Sequence, residues 1–144
     1  MAKFGKESIE NLATCSVELQ RVAMIVINYF GHRITEGHRG QEKQHKYFLE
    51  KRSKVDWPDG EHNKTPSDAL DFLPDSVTWN DLNGVNGEKI QQQAVATCYM
   101  LAGYYLAIGD MLDTPLRSGA DWDSDKDLKD QNFNDIVHIE RRNK

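Results

Sequence analysis

From Glu88 to Leu112 the chain carries a helix-forming segment, and from Ala94 onward it is apolar around much of a helical circumference. A segment of that kind must be covered by other elements, so it predicts a long central helix on which a core closes. Gly103, Gly109, Asp110 and several polar residues interrupt it, so it does not read as a membrane span. Tyr99, Tyr104 and Tyr105 read as core or rim packing, and Asp113-Thr114-Pro115 stops the helix. At 144 residues the chain is expected to form a single domain, residues 1–144, with a sizeable core. A net charge of −5 gives no support for nucleic-acid binding through a basic face. Two cysteines, Cys15 and Cys98, sit in apolar helical patterns and read as buried thiols rather than a disulfide scaffold.

Residues 1–7 read as a loose arm. Ser8 is placed to cap a short helix through Cys15, and Ser16 a second one from Val17 to Phe30. In the latter, Leu19, Val22, Ala23, Val26, Tyr29 and Phe30 recur at helical spacing. Ile34-Thr35-Glu36 is β-prone, Gly37 to Gly40 turns, and Gln41 to Arg52 is helix-prone. Ser53 to Pro66 and Pro74 to Glu88 read as loops. Short strands are expected at Leu116-Arg117-Ser118 and at Ile136 to Glu140. The fold class is therefore α+β, with helices packed on a small, mostly antiparallel sheet.

Chemistry concentrates in His62-Asn-Lys-Thr-Pro-Ser-Asp-Ala-Leu-Asp71. An imidazole and a carboxylate are ordinary zinc ligands, and the late histidine, His138, offers a third beside Asp135. The same ten residues also read as a polar loop, and spacing alone favours that, since no H-E-x-x-H motif is present. Asp71 lies among apolar residues, where a buried carboxylate needs a metal, an arginine or backbone amides as partner. If Ile136 to Glu140 is a regular strand, His138 and Glu140 share a face and Asp135 joins them only from the preceding turn. Asp121, Asp123, Asp125 and Asp127 alternate as in a calcium loop, but Lys126 and Asn132 stand where an EF-hand needs Gly and Glu. A weak calcium site at Asp121, Asp123 and Asp125 and a solvated loop remain the two readings. His32, His38 and His45 read as surface or supporting residues.

Five blocks in order then resemble one family. Ile34 to Arg39, with Gln44, is similar to S-G-Y/H-R-t-x-x-x-Q. Arg52-Ser53-Lys54 resembles G-R-S-K, and His62 to Asp71 resembles H-N-x-T-P-S-x-A-x-D. Leu116 to Trp122 resembles l-R-W-G-G-D-W, and Asp135 to Glu140 resembles D/E-x-x-H-x-E. The chain is thus similar to phage-type M15 peptidases, the group of D-alanyl-D-alanine carboxypeptidases and L-alanyl-D-glutamate endolysins. It departs from the general pattern at Gly60, Ser67, Ser118 and Ala120.

The resemblance implies one zinc on His62, Asp71 and His138, with water in the fourth position. It makes Asp135 the general base and Arg39 the group that binds substrate or stabilises the oxyanion. Ser67, Gln44, Trp122 and Glu140 would contact substrate or support the ligands. It implies a zinc peptidase cutting peptidoglycan stem peptides, with an L-alanyl-D-glutamate endolysin expected and a D-Ala-D-Ala carboxypeptidase as the alternative. A catalytically silent wall-binding or virion module stands as the alternative of another class. With no apolar core for a secretory signal in its first residues, such a protein is expected to be made in the host cytoplasm. It would act on the wall after release, as a monomer, without membrane insertion.

Overall fold

The long apolar segment forms helix α5, Glu88–Met111. Only one stripe of it is buried, through Ala94, Cys98, Leu101, Ala102, Tyr105 and Ile108, while Met100 and Met111 face solvent. α5 therefore lies on one side of the protein rather than at its centre. The computed structural model describes residues 2–131 and 134–142; Asn132, one of the calcium-loop positions, is outside them, as is Met1 of the expected arm.

Among the described residues the other helices are α1 (Lys6–Leu12), α2 (Val17–Val26), α3 (Gln41–Leu49) and α4 (Trp79–Leu82). The strands are β1 (His32–Glu36), β2 (Ala69–Pro74), β3 (Leu116–Ser118) and β4 (His138–Arg141). They form one antiparallel sheet in the order β1-β2-β4-β3, so the last strand enters between two earlier ones. The fold is α+β, as the sequence implied.

Several boundaries differ from expectation for local reasons. The N-terminal residues are docked from Phe4 onward, whose ring meets His32 edge-on at 5.0 Å. Ser8 lies inside α1 and does not cap it; its hydroxyl accepts the Ile34 N–H at 3.0 Å, tying α1 to β1. Ser16 does cap α2, which ends at Val26 and not Phe30. α3 stops at Leu49, short of Arg52. Thr78 and Asp81 form a reciprocal cap and nucleate α4 inside the stretch expected to be a loop. His32 is a core residue rather than a surface one, its ring nitrogens bonded to the Phe30 carbonyl at 2.7 Å and the Tyr105 hydroxyl at 2.6 Å. β4 starts two residues later than expected, because the chain turns at Ile136-Val137 with the His138 N–H bonded to the Asp135 carbonyl.

The sheet separates core from chemistry by its period of two. Leu70, Phe72 and Ile139 are fully buried and join Leu19, Val22, Leu101 and Tyr105 in the core. On the other face, strand register builds two polar rows. Glu36 is opposite Asp71, and Asp71 is opposite His138. Two residues along, Ala69 is opposite Glu140, and Glu140 is opposite Arg117. Side chains paired in this way touch, and these rows are the floor of a cleft.

Candidate active site

Asp71 and His138 meet because they are register partners, and His62 is brought over them by the loop between α3 and β2. Glu61–Asn63 make one 3-10 turn, and the Asp68 N–H bonds the Glu61 carbonyl at 3.1 Å, closing the loop back on itself. The Arg39 N–H donates to the His62 carbonyl at 2.8 Å. Gly37 is needed here, since a Cβ on it would fall 2.2 Å from the Thr14 hydroxyl and 2.3 Å from the Asn11 carbonyl oxygen. That close approach puts the Gly37 carbonyl 2.7 Å from His62 Nδ1.

These contacts decide the tautomers. His62 Nδ1 must carry the proton it donates to Gly37, and His138 Nε2 must carry the one it donates to Glu140 Oε1 at 2.9 Å. The opposite ring nitrogens then present lone pairs. His62 Nε2 lies 3.1 Å from His138 Nδ1 and 3.1 Å from Asp71 Oδ1, and His138 Nδ1 lies 3.3 Å from that oxygen. Three lone-pair atoms converge there, which repels unless a cation joins them, either a metal ion or the second proton that His138 takes up when no metal is bound. Ligands about 2.1 Å from a tetrahedral ion stand about 3.4 Å apart, so the triangle has the dimensions of one face of such a site. The residues fit a divalent metal such as zinc, with one open position toward the cleft.

The electrostatics agree. Burial would pull the His138 pKa down, but the hydrogen bonds to Asp71 and Glu140 push it up to about 10. Burial opposes ionisation of Asp71, yet the two histidines hold it well below the usual carboxylate range. Glu140, against the pull of its own burial, is lowered to about 2 by His138 and by Arg117, whose Nη2 is 2.7 Å away. The centre therefore demands positive charge. Cys15 and Cys98 are driven by burial to about 12 and about 11, so neither is a thiolate nucleophile at neutral pH.

Asp135 lies on the turn before β4 and lines the same cleft of about 550 Å³ as His62, His138, Arg39 and Trp122. Burial and the charge of Asp71 raise its pKa to about 6, against the pull of His138, His62 and Arg39. Its backbone is seated by Gly119, where a Cβ would come within 2.1 Å of the Asp135 carbonyl oxygen. Arg39 is buried beside Asp71, its Nη2 3.6 Å from Asp71 Oδ2. Its Nε donates to Glu36 and its Nη1 to Gln44 Oε1 at 3.1 Å. Gln44 is itself fully enclosed, accepting also from Asn63 and donating to Ser53 and the Val55 carbonyl. Trp122 packs on His138, ring centroids 5.4 Å apart, and forms a cleft wall.

Ser67 is not among the residues lining the cleft. It is fully buried, bonds the Ala69 carbonyl at 2.7 Å, and pairs through its backbone with the segment around Cys15. Asp121, Asp123 and Asp125 bring carboxylate oxygens within 4.8 Å of one another. One oxygen of each accepts a backbone N–H, from Lys126, Asp125 and Asp127 respectively, so the alternating aspartates organise a loop of successive turns.

Glu36 holds Arg39 without standing out in the sequence, whereas Asn63 and Arg117 occupy positions in the resembling blocks to which no role was given. The available signal is an ionisable residue at an alternate position of a short strand, for Glu36 and Arg117. Its meaning appears only when register pairs Glu36 with Asp71 and Arg117 with Glu140.

Residues 1–141 match the family described as phage L-alanyl-D-glutamate peptidase. The L-alanyl-D-glutamate peptidase of Escherichia phage T5 is 31% identical over 134 residues, spanning 90% of this chain and 88% of that protein. The crystal structure of the Serratia marcescens L-Ala D-Glu endopeptidase ChiX aligns with a TM-score of 0.68, covering 97% of this chain and 90% of that one. At 17% identity that second likeness bears on the fold.

Proposed function

We infer the reaction from descent: the chain belongs to the phage L-alanyl-D-glutamate peptidase family, and it is a peptidase that cleaves the L-Ala–D-Glu bond of peptidoglycan peptides. The structural observation that supports a metal-dependent form of this chemistry is the convergence of three acceptor atoms from His62, Asp71 and His138 at the base of a cleft. Zinc held by these residues would supply Lewis-acid polarisation of the scissile carbonyl and a bound water with its pKa lowered to about 7.

The chain's own groups do the rest. Asp135, with a pKa of about 6, is a carboxylate base at neutral pH yet basic enough to take a proton from the attacking water. It returns that proton to the amine nitrogen of the departing D-glutamate. Arg39 stabilises the negative charge that grows on the carbonyl oxygen. Glu36, Gln44 and Tyr47 fix its guanidinium in advance, so little reorganisation is needed as the charge appears. Glu140 keeps the His138 proton on Nε2 and the lone pair on Nδ1. Trp122 walls off solvent on the His138 side. No helix among the described residues is long and apolar enough to cross a membrane. The protein acts as an endolysin, made in the infected cell and reaching the wall once released.

The test is mass spectrometry of digested sacculi together with metal analysis. Digestion should expose new D-glutamate amino termini, stop with chelator and return with zinc. Asp135→Asn should retain zinc while losing about 10²–10⁴-fold in rate. Metal-free protein with full activity would overturn the zinc reading, and full activity in Asp135→Asn would remove that residue as the base.

A further inference from the structure

A glutamate joined to alanine through its amine has two carboxyl groups, and the onward chain can use only one. One carboxylate therefore stays free close to the scissile bond, its carbon about 3–6 Å from the scissile carbonyl carbon by ordinary bond geometry. We propose that Arg52 receives this carboxylate and so sets the preference for glutamate on the leaving side. The inference rests on the peptidase reading and adds a substrate subsite to it.

The cleft is lined by three arginines, and two are already engaged. Arg39 is bonded to Glu36 and Gln44 and sits against Asp71. Arg117 donates to Glu140 at 2.7 Å and to the Trp122 carbonyl. Arg52 differs. Its guanidinium is stacked 4.0 Å from the centre of the Tyr47 ring, which fixes its position without using its N–H fork. Its ionic contact to Glu50 is 3.5 Å long and lies in solvent, too weak to compete with a bidentate carboxylate.

The placement is built rather than incidental. Arg39 stacks on the same tyrosine at 4.7 Å, so the two guanidinium carbons are within about 9 Å of each other. One Arg–carboxylate pair spans about 4 Å between carbons. A substrate with its carbonyl oxygen at Arg39 can therefore place the neighbouring carboxylate at Arg52. The spacing is held by buried Gln44, which binds Arg39 through Oε1 and the Ser53–Val55 wall through Nε2 at 2.9 and 2.6 Å. The Arg52 N–H is pinned to the Tyr47 carbonyl at 2.8 Å.

The experiment compares two tripeptides, L-alanyl-γ-D-glutamyl-L-lysine and its isoglutamine counterpart, in which the free carboxylate becomes a carboxamide of the same shape. The zinc-loaded wild-type protein should favour the acid by about 10–100-fold in kcat/KM, mostly through KM. Arg52→Gln should shrink that ratio below about threefold. A wild-type ratio already below that, or Arg52→Gln with the wild-type ratio, overturns the subsite while leaving the peptidase intact. A zinc-loaded wild type that cuts neither peptide overturns the peptidase reading, and the subsite with it.

Discussion

Replacing Glu140 by glutamine tests whether the carboxylate behind His138 serves the metal centre or merely the fold. The side chain keeps its volume, so packing is preserved. What changes is the bond from His138 Nε2, 2.9 Å long and now charge-assisted, which becomes neutral. A charge-assisted hydrogen bond contributes about 1.5–3 kcal/mol against about 1 for a neutral one. The introduced carboxamide can also turn its N–H toward Nε2, which drives the proton to Nδ1 and places it among the ligand atoms. Zinc affinity should therefore fall about 10–100-fold, in the range seen when such outer partners are removed. Metal-free stability should fall by only about 1–3 kcal/mol, from the lost charge-assisted bond to His138, because Arg117 is 39% exposed and regains water. The assay is competition with a chromophoric chelator, run beside urea unfolding in excess chelator. Unchanged zinc affinity with a large loss of metal-free stability would refute the argument and make Glu140 a structural ion-pair residue.

Gly119→Ala should displace Asp135, since the new Cβ would sit 2.1 Å from its carbonyl oxygen; activity should fall while zinc stoichiometry holds, and wild-type turnover would count against this positioning. Ile139→Ala removes a fully buried side chain from β4 and should cost about 2–5 kcal/mol in metal-free protein; urea denaturation in chelator measures it, and a loss below about 1 kcal/mol would mean the sheet is not packed as described. Burial lowers the His32 pKa below 6.5, outweighing the Phe30 carbonyl and Asp75. The unfolded chain thus binds the extra proton first, and this residue's contribution to stability is lost as pH falls below about 6.5. The drop in urea midpoint between about pH 7.5 and about 5.5 should be smaller in His32→Gln; an equal drop would assign it to other groups.

The helices and the candidate metal-binding residues were legible for different reasons. α2 showed because Leu19, Val22, Ala23 and Val26 repeat at helical spacing and Ser16 caps them. His62, Asp71 and His138 were legible as residue types that metals use, ordered within recognisable blocks. β2 went unassigned because Ala69 to Pro74 carries one carboxylate in an apolar run, and that run gives no alternation to read. The supporting residues were hidden more deeply. Glu36 lies three residues from Arg39 in sequence, but its partnership with Asp71 comes from a strand pairing that no local pattern encodes. The extent of α5's buried stripe was also out of reach, because composition does not say which side of an apolar helix remains in water.

The strand order explains why the centre and the fold must form together. Asp71 and His62 are 9 residues apart, and the loop that joins them closes through local hydrogen bonds. His138 is 67 residues beyond Asp71 and arrives only when β4 inserts between β2 and β3. The insertion places Ile139 in the core with one face of the strand and His138 with Glu140 in the cleft with the other. A chain lacking that step has only two of the three candidate ligand atoms, a buried carboxylate without its second imidazole, and an imidazole without its third partner. Each of those groups is costly to bury alone. A metal held by these three residues would bind only the completed sheet, and its binding energy would add to folding stability rather than trap a partly paired chain.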